Sequence, residues 1–234
     1  IAGMNAALAI AAGGCEAFII EKSSELGGNL TWLKTGIDGT NFEDILERTK
    51  EKVEKNTYIN IFKNTYIADS TGETGNFSTL VETLDIDGKT EKTTIKHGAV
   101  IIATGSDEAP SSSYKIGENE TIMTLRTFEE KIYQKELDLQ NMQNIVMIQC
   151  VDSRDECKEY CSRVCCSSSI KQALILKNSN PGINIYILYR DIMTYGFLEK
   201  YYREARDKGI IFIRYTLDRM PAVQIDGDRP KGRV

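Results

Sequence analysis

The sequence predicts an α/β protein of two units, each built on a doubly wound parallel sheet, with an antiparallel β-meander inserted into the first unit. Two observations predict this class. Short apolar runs of strand length alternate with stretches of helix length, which is the pattern of βαβ units. Between Tyr58 and Lys96 the signals become β alone, with the hairpin dipeptide Asp87-Gly88 near the end. We place the first unit at residues 1–107, with its meander at about 57–97, and the second at 108–234.

Composition excludes several classes of protein. The chain has 234 residues, 41% of them hydrophobic and 27% charged, and its formal net charge of −5 gives no electrostatic reason to expect nucleic acid. The longest apolar runs are far shorter than the ~20 residues of a membrane helix, and no signal peptide opens the chain. We therefore expect a cytoplasmic protein with no nucleic-acid or membrane partner. Because the sequence opens without methionine and inside a helical pattern, we also expect a fragment that is truncated at both ends.

The elements of the first unit follow in order. Ala2 to Ala12 reads as a helix that Gly13-Gly14 stops, and "AFIIE" follows as a short buried strand. Thr40 to Glu54 reads as an amphipathic helix, with Thr40 and Glu43 spaced as a capping box. We assign "YINIF" and the three β runs after it to the meander. "GAVIIATG" then predicts a continuous apolar strand of the kind that is buried in a parallel sheet.

The second unit alternates helices and strands after a polar stretch. Strands separated by helices of ten or more residues favour a parallel sheet. The predicted elements are a helix from Thr127 to Leu137, a strand from Ile145 to Cys150, a helix from Ser168 to Lys177, a strand from Ile183 to Tyr189, a helix from Phe197 to Lys208 and a strand from Ile210 to Tyr215.

The first unit carries part of a dinucleotide-binding pattern. In such a βαβ turn, glycines let the backbone approach a pyrophosphate, and an acid at the end of the second strand binds ribose hydroxyls. Gly3 can be the last of those glycines, and Glu21 lies eighteen residues later, close to the expected spacing of ~20. Gly27-Gly28 and the "ATG" run at Ala103 add places where backbone can approach a cofactor. Taken one by one, these features also fit ordinary helix packing, a plain loop and a tight strand exit.

The order of these features resembles the FAD-binding domain of the thioredoxin reductase and glutathione reductase relatives. That resemblance implies a Rossmann-like flavoprotein with two dinucleotide-binding domains, and FAD as the cofactor. The implied cofactor-binding residues are Gly3, Glu21, Lys22, Gly27, Gly28, Asn29, Ala103, Thr104 and Gly105.

The second unit departs from that pattern where a glycine-rich loop for NAD(P) would follow its first strand. "VDSRDECKEYCSRVCCSSS" has no glycine there, so nicotinamide binding at this turn is disfavoured. An iron–sulfur cluster takes four cysteine thiolates, which Cys150, Cys161, Cys165 and Cys166 can provide. Zinc is a weaker interpretation, because adjacent cysteines suit a tetrahedral ion poorly and no C-x2-C pair is present. Redox-active thiols and inert buried thiols stay open as alternatives.

The cysteine segment is also the most specific part of a second resemblance. The runs "IQCVDSRDE", "YCSRVCC", "IKQAL" and "ILYRDIMTYGFLEKYYREARDKGIIFIRY", with "IEKSSELGGNL" near the start, resemble the A subunit of heterodisulfide reductase, a flavin and iron–sulfur protein. The resemblance implies FAD, a [4Fe-4S] cluster on the four cysteines named above, and Lys171 as the catalytic residue, a cation that stabilises reduced flavin. A plain surface lysine is the alternative for Lys171.

The same resemblance implies an oxidoreductase that passes electrons between FAD and [4Fe-4S] clusters, with flavin-based bifurcation. Its implied partners are other heterodisulfide-reductase-type subunits, a hydrogenase or dehydrogenase donor, and ferredoxin. Three departures stand out: Asp152 replaces a usual glycine, Cys157 is an additional thiol, and the acidic residue expected near Thr127 is absent.

Two other functions are weighed against electron transfer. An FAD-dependent pyridine-nucleotide disulfide oxidoreductase would use Cys157 with Cys161, or Cys165 with Cys166, as a redox pair, but it needs a nicotinamide site that the sequence does not offer. A zinc-stabilised binding module comes third. His97, the one histidine, reads as an exposed residue at the end of a strand.

Overall fold

The fold is given by a computed structural model that describes residues 1–85 and 87–225. The chain divides into two compact units. The first comprises Ile1–Thr35 and Asn41–Glu108, and the second comprises Gly36–Thr40 and the described residues from Ala109 onward. Each unit is built around its own group of buried apolar side chains.

The first unit begins with a small parallel α/β layer. Its elements are α1 (Ala2–Ala12), β1 (Ala17–Ile20), α2 (Phe42–Glu54) and β2 (Ile59–Phe62). β1 and β2 pair in parallel, with Ala17 opposite Ile59 and Ile20 opposite Phe62. Met4 and Ala7 of α1 pack with Leu46 and Val53 of α2 in the core of this layer. Burial of each large side chain contributes roughly 1.5–3 kcal/mol.

Helix α2 begins one residue later than the capping box predicts. The carboxamide oxygen of Asn41 accepts hydrogen bonds from the backbone N–H groups of Glu43 and Asp44, at 3.0 and 3.3 Å. Asn41 is therefore the N-cap, and the predicted pairing of Thr40 with Glu43 is wrong. Asparagine is among the best residues at this position, because its short side chain reaches the unpaired amides of the first turn.

The meander has three antiparallel strands. They are β3 (Thr65–Glu73), β4 (Asn76–Leu84) and β5 (Thr90–His97), in the order β3-β4-β5. The sequence pattern assigns "YINIF" to this meander, but its strand is β2, which pairs with β1 instead. The sequence could not show this, because a four-residue apolar strand fits either sheet and its partner is decided by non-local contacts.

The run "GAVIIATG" does not form the buried strand that its composition predicts. Residues 98–105 have no regular secondary structure, and Ile102 is 84% exposed, with Val100 and Ile101 also exposed. An apolar run is buried as a strand only where a neighbouring strand supplies hydrogen bonds and a packing face. Among the described residues of this unit, β1 and β2 form a sheet of two strands, and this run pairs with neither.

The second unit is a parallel α/β layer. Its elements are α3 (Leu125–Gln134), β6 (Asn144–Ile148), α4 (Cys165–Ser179), β7 (Asn184–Tyr189), α5 (Glu199–Asp207) and β8 (Ile211–Arg214). The sheet has the order β6-β7-β8, with all pairs parallel. The six predicted elements are all present with shifted ends. The largest shifts are at the start of α4, which begins at Cys165, and at the end of α3, which ends at Gln134.

The core of the second unit lies between β7 and helix α4. Ile185 and Ile187 of β7 and Ile170 and Leu176 of α4 are fully buried, and α3 and α5 contribute partly buried residues around them. None of the helices in the described part of the chain is long and apolar enough to cross a membrane.

Candidate functional sites

The first candidate site, which we name the glycine site, comprises the nine predicted FAD-binding residues of the first unit. Gly3 lies in α1, and a Cβ added to it would lie 3.4 Å from the Cβ of Ala103. Helix α1 therefore approaches the "ATG" segment closely at this residue. The two ends of the predicted pattern, about a hundred residues apart in sequence, lie together.

Glu21 and Lys22 continue the chain directly beyond β1. The Glu21 carboxylate accepts the backbone N–H of Ser23 at 2.9 Å, so the side chain turns back over the start of the next loop. Lys22 forms an ion pair with Asp107 at 3.3 Å, and both side chains are largely exposed. Such an exposed pair contributes at most ~1 kcal/mol. Its clearer effect is to place the loop after β1 beside the segment after "ATG".

The loop that contains Gly27 and Gly28 also reaches that segment. The Asn29 carboxamide donates to the carbonyl oxygen of Ser106 at 3.1 Å. Gly27 has φ 137°, Gly28 has φ 56° and Gly105 has φ 67°, all in the region that favours glycine. Thr104 lies in the same exposed segment as Gly105. The structure therefore gathers the predicted glycines and Asn29 at one edge of the first unit.

Two glycines of the glycine site leave their backbone open to a ligand. A Cβ added at Gly28 or at Gly105 would meet nothing within 4 Å, so both peptide backbones face open space. A phosphate can approach such backbone amides closely. The open backbone at these two glycines is therefore compatible with a bound phosphate, and the FAD-binding role of the nine residues stays a prediction. Gly27 differs, because an added Cβ would lie 3.0 Å from Leu46 and from Thr31, so that glycine is required by packing.

The second candidate site, which we name the thiol site, comprises Cys150, Cys161, Cys165 and Cys166 in the second unit. Cys150 lies just beyond the end of β6, and Cys165 and Cys166 form the first turn of α4. The Cys166 thiol is buried and donates to the carbonyl oxygen of Asp191 at 3.7 Å. The carboxyl end of β6 and the amino end of α4 thus bring sulfur atoms to the position where a nucleotide fold has its phosphate loop.

Three of the four thiols interact with one another. The neighbouring Cys166 side chain is the main reason that the pKa of Cys165 falls to about 6, although burial acts in the opposite direction. The same interaction, with burial, raises the pKa of Cys166, and the charge of Cys150 acts in the same direction. Cys165 is therefore the thiolate of the pair, and Cys166 is the protonated thiol. Thiolates are the species that bind metals.

Cys161 is held differently from the other three. Its sulfur accepts the backbone N–H of Arg163 at 3.3 Å. Across residues 1–85 and 87–225, no three His, Cys, Asp or Glu side chains form a group arranged to hold a metal ion. The chemistry of the thiol site suits iron and sulfide, whereas the arrangement seen is not a closed coordination shell. The four-cysteine ligand set stays a prediction.

The loop of the thiol site, residues 149–164 between β6 and α4, has unusual backbone conformations. Cys150, Asp152, Arg154 and Arg163 all have positive φ, between 47° and 61°. Positive φ is uncommon outside glycine and clusters at functional sites. It also explains Asp152 at a position where glycine was expected. Aspartate tolerates this conformation better than most residues, and its carboxylate accepts a hydrogen bond from the Ser113 hydroxyl at 2.6 Å.

Lys171 is not a surface residue. Its ammonium lies 2.6 Å from the Glu129 carboxylate, and the two side chains are 6% and 3% exposed. Gln172 donates to the other Glu129 oxygen at 3.3 Å and to the carbonyl oxygen of Leu125 at 2.8 Å. The surface-lysine alternative is therefore wrong. The catalytic role predicted for Lys171 stays a prediction.

Glu129 is the residue that the sequence pattern alone did not reveal. The acidic residue expected near Thr127 was considered absent, whereas Glu129 lies only two residues further along α3. One signal could have revealed it. Glu129 falls on the helical stripe of Leu125, Phe128 and Ile132, which pack against the core, and a carboxylate there requires a buried partner.

Comparison with known proteins gives relatives among the A subunits of heterodisulfide reductases. No family model matches the chain. The iron–sulfur A subunit of CoB–CoM heterodisulfide reductase from Methanocaldococcus jannaschii is 35% identical over a 144-residue alignment that covers 55% of this chain and 22% of the relative. The A subunit of H2/formate:CoB-CoM heterodisulfide,ferredoxin reductase from Methanococcus maripaludis is 36% identical over 149 residues, covering 57% and 23%.

A third relative matches a shorter stretch more closely. The A subunit of ferredoxin:CoB-CoM heterodisulfide reductase from Methanosarcina acetivorans is 49% identical over 74 residues, which are 30% of this chain and 9% of the relative. This chain thus spans less than a quarter of the length of each of these relatives. The predicted resemblance to the A subunit of heterodisulfide reductase is confirmed.

A solved structure supports the fold. Thioredoxin reductase of Lactococcus lactis superposes with a TM-score of 0.54 at 16% identity, covering 98% of this chain and 65% of that one. At this identity the likeness shows the fold alone. The predicted fold class, a thioredoxin-reductase-like α/β protein with an antiparallel sheet, is confirmed.

Proposed function

We propose that this chain is the FAD- and cluster-carrying part of an oxidoreductase of the heterodisulfide reductase type, which transfers electrons between FAD and [4Fe-4S] clusters. One observation carries the proposal. At the turn between β6 and α4, where a nicotinamide-binding fold needs glycine, the chain has interacting thiols. A site of this chemistry suits inorganic sulfur and iron better than a phosphate.

The glycine site would hold FAD, and the thiol site would hold the cluster. When bound, FAD supplies two-electron chemistry and the cluster supplies one-electron transfer. Cys150, Cys161, Cys165 and Cys166 are the proposed ligands. The open backbone at Gly28 and Gly105 would face the pyrophosphate, and Glu21 would face the ribose.

The first turn of α4 suits an anionic ligand set. The amides of a helix start have no intrahelical partners and carry a partial positive charge. α4 begins at Cys165, and no side chain caps this end of it. Those amides can therefore donate to cluster sulfurs and stabilise their negative charge.

The names of the relatives indicate the proposed partners. They refer to the CoB–CoM heterodisulfide, to ferredoxin, and to hydrogen or formate. By analogy we propose that this chain works with other subunits of the heterodisulfide reductase type, with a hydrogenase or dehydrogenase as electron donor, and with ferredoxin. Electron bifurcation at the flavin is part of the same proposal.

Lys171 is proposed as the cation that stabilises reduced flavin. Its pairing with Glu129 would keep it charged while buried. Replacing Lys171 by methionine should lower the flavin reduction potential, measured by spectroelectrochemistry, because a cation favours the anionic reduced form. Lys177→Met, on the same helix but near its exposed end, is the matched control. Equal potentials in the two variants would remove Lys171 from the proposal.

A second function rests on the low pKa of Cys165. An FAD-dependent pyridine-nucleotide disulfide oxidoreductase needs one thiolate beside a second thiol, and Cys165 with Cys166 provides that chemistry. Against it, residues 151–169 contain no glycine to cradle a nicotinamide dinucleotide.

Anaerobic purification with a visible spectrum separates the candidates. Electron transfer predicts flavin peaks with a broad shoulder near ~400 nm that dithionite bleaches, and about four iron and four sulfide per cluster. Flavin without iron supports the disulfide oxidoreductase, and a colourless zinc protein supports a binding module. Cys165→Ser should abolish the shoulder and leave the flavin, whereas Cys157→Ser, in the same loop, should change neither. An unchanged shoulder in Cys165→Ser would contradict the proposed ligand set.

A further inference from the structure

A group of arginines surrounds the loop of the thiol site. Arg154, within the loop, donates from Nη2 to the Asp191 carboxylate at 2.7 Å. Arg214, at the end of β8, lies 3.6 Å from the other oxygen of that carboxylate and donates from Nε to the carbonyl oxygen of Arg190 at 3.1 Å. Asp191 follows β7 by two residues. The loop after β6 is thus tied by charge to the segment after β7, and through Asp191 to the end of β8.

Arg190 strengthens this attachment through the backbone. Its Nη1 donates to the carbonyl oxygens of Ser153 and Arg154, at 3.2 and 2.6 Å. Both carbonyls belong to the part of the loop where φ is positive, so these bonds stabilise a conformation that is unfavourable by itself. Arg154 is therefore held at two points: its backbone carbonyl accepts from Arg190, and its guanidinium donates to Asp191.

Arg154 also lies near one of the thiols. Its guanidinium lies close enough to the Cys150 thiol to interact with it, and the Asp191 that it binds accepts the Cys166 thiol at its peptide oxygen. The Nη1 of Arg154 is buried and completes no hydrogen bond within the described chain. A buried guanidinium N–H without an acceptor is unfavourable, and its natural partner is an anion.

We infer that Arg154 is a positioning residue of the thiol site: its Nη2 anchors the loop to Asp191, and its Nη1 donates to anionic sulfur held beside Cys150. This inference rests on the proposed function, because the anionic sulfur is that of the proposed cluster. A fixed positive charge beside the cluster stabilises the reduced, more negative state of the cluster. Arg154 therefore raises the reduction potential of the cluster.

The test compares Arg154→Gln and Arg154→Lys with Arg203→Gln, which alters an exposed arginine on α5 that pairs with Glu199. The protein is purified anaerobically with its cofactors. The cluster signal is the electron paramagnetic resonance signal that is present in the unmodified protein and absent in Cys165→Ser. This signal is followed during titration with dithionite. Arg154→Gln should shift its midpoint potential to a more negative value. Arg154→Lys should return the potential toward that of the unmodified protein, and Arg203→Gln should leave it unchanged.

A second readout uses the metal-free protein. Hydrogen–deuterium exchange across residues 150–164 should be several-fold faster in both Arg154 variants, because lysine cannot reproduce the forked contact. If Arg154→Gln does not fold, as judged by circular dichroism, Asp191→Asn takes its place and should speed the same exchange.

The outcomes separate the inference from the proposed function. A signal that Cys165→Ser removes, with equal potentials in Arg154→Gln and Arg203→Gln, overturns the inference alone. Unchanged exchange in Asp191→Asn overturns it too. If the unmodified protein has no signal that depends on Cys165, the proposed function fails, and the inference fails with it.

Discussion

The glycine site and the thiol site occupy the same kind of place in two parallel α/β layers, yet they are built in opposite ways. Each has residues directly beyond the end of a parallel strand, β1 in the first unit and β6 in the second. The glycine site offers backbone, with open space at Gly28 and Gly105. The thiol site offers side chains, on a loop held by arginines and at the start of α4, which a buried ion pair joins to α3.

This difference shows what each site depends on. A site made of backbone depends on residues that have no side chain, so substitutions of the glycines themselves should affect it most. A site made of side chains also depends on the neighbouring groups that orient those side chains and set their charge. Substitutions of residues that contact no sulfur should therefore affect it as well. Substitutions in the two units should therefore fail for different physical reasons.

The largest effect is expected at the buried ion pair of the second unit. Glu129→Ala leaves Lys171 charged and buried without its carboxylate, and we expect a loss of ~3–5 kcal/mol in the free energy of unfolding. Glu130→Ala, the adjacent position with a partly exposed pair to Arg126, should cost less than ~1 kcal/mol. Urea denaturation followed by circular dichroism measures both. Similar losses in the two variants would show that burial of the pair does not matter.

The next effect tests the glycine site. Gly27→Ala combines φ 137° with an added Cβ 3.0 Å from Leu46, and should destabilise the first unit by roughly 1–3 kcal/mol. Gly28→Ala is the matched control, because its φ of 56° is a milder left-handed conformation and its Cβ meets open space, so a cost of ~1 kcal/mol is expected.

The two glycine variants should also differ in cofactor retention. Alanine at Gly28 places a methyl group where the proposed phosphate would approach, so this variant should lose FAD on gel filtration despite its smaller loss of stability. Equal FAD content in Gly28→Ala and the unmodified protein would contradict the proposed role of that backbone.

Local patterns in the sequence were enough to predict most of the elements and the place of the thiol site. The apolar runs at β6, β7 and β8, and the helices between them, have periods that burial in a parallel sheet requires. The spacing of Cys150 from Cys165 and Cys166 was informative because the strand and the helix start are each defined locally. The structure then places these thiols near enough for Cys150 and Cys165 to raise the pKa of Cys166.

Most of the wrong predictions have a different cause. The partner of β2 and the exposure of Ile102 are decided by which strands lie beside them, and strand partners are set by contacts distant in sequence. Glu129 was missed because a carboxylate on an apolar stripe becomes meaningful only when its partner, Lys171 on another helix, is known. The cap at Asn41 was a choice between neighbours of similar propensity.

A smaller effect distinguishes the thiols of the second unit from ordinary cysteines. In the metal-free protein the pKa of Cys165 is about 6, so it is a thiolate above that pH and becomes protonated, and unreactive, below it. Its alkylation by iodoacetamide should rise through pH 6. At pH 6 it should exceed that of an ordinary thiol by on the order of tenfold, once the lower nucleophilicity of a less basic sulfur is counted.

Cys166→Ala is the control for that measurement. It removes the side chain that is the main cause of the low pKa, so the midpoint of Cys165 alkylation should move up toward the ordinary value of ~8.5. Peptide mass spectrometry identifies the modified residue. A midpoint near 6 that persists in Cys166→Ala would assign the low pKa to the helix start instead.

The smallest effect tests the support of the glycine site. The side chain of Leu46 occupies the space that a Cβ at Gly27 would need. Leu46 belongs to α2, and Asn41 is the N-cap of that helix. Asn41→Ala removes both bonds to the first turn and should cost ~1 kcal/mol, measured by urea denaturation. Thr40→Ala should cost less, because the carboxamide oxygen of Asn41 already accepts the Glu43 N–H. The reverse ranking would restore the capping box and move the start of α2 back by one residue. Since the side chain of Asn41 lies outside the proposed FAD contacts, its loss should weaken the first unit without the FAD loss expected of Gly28→Ala.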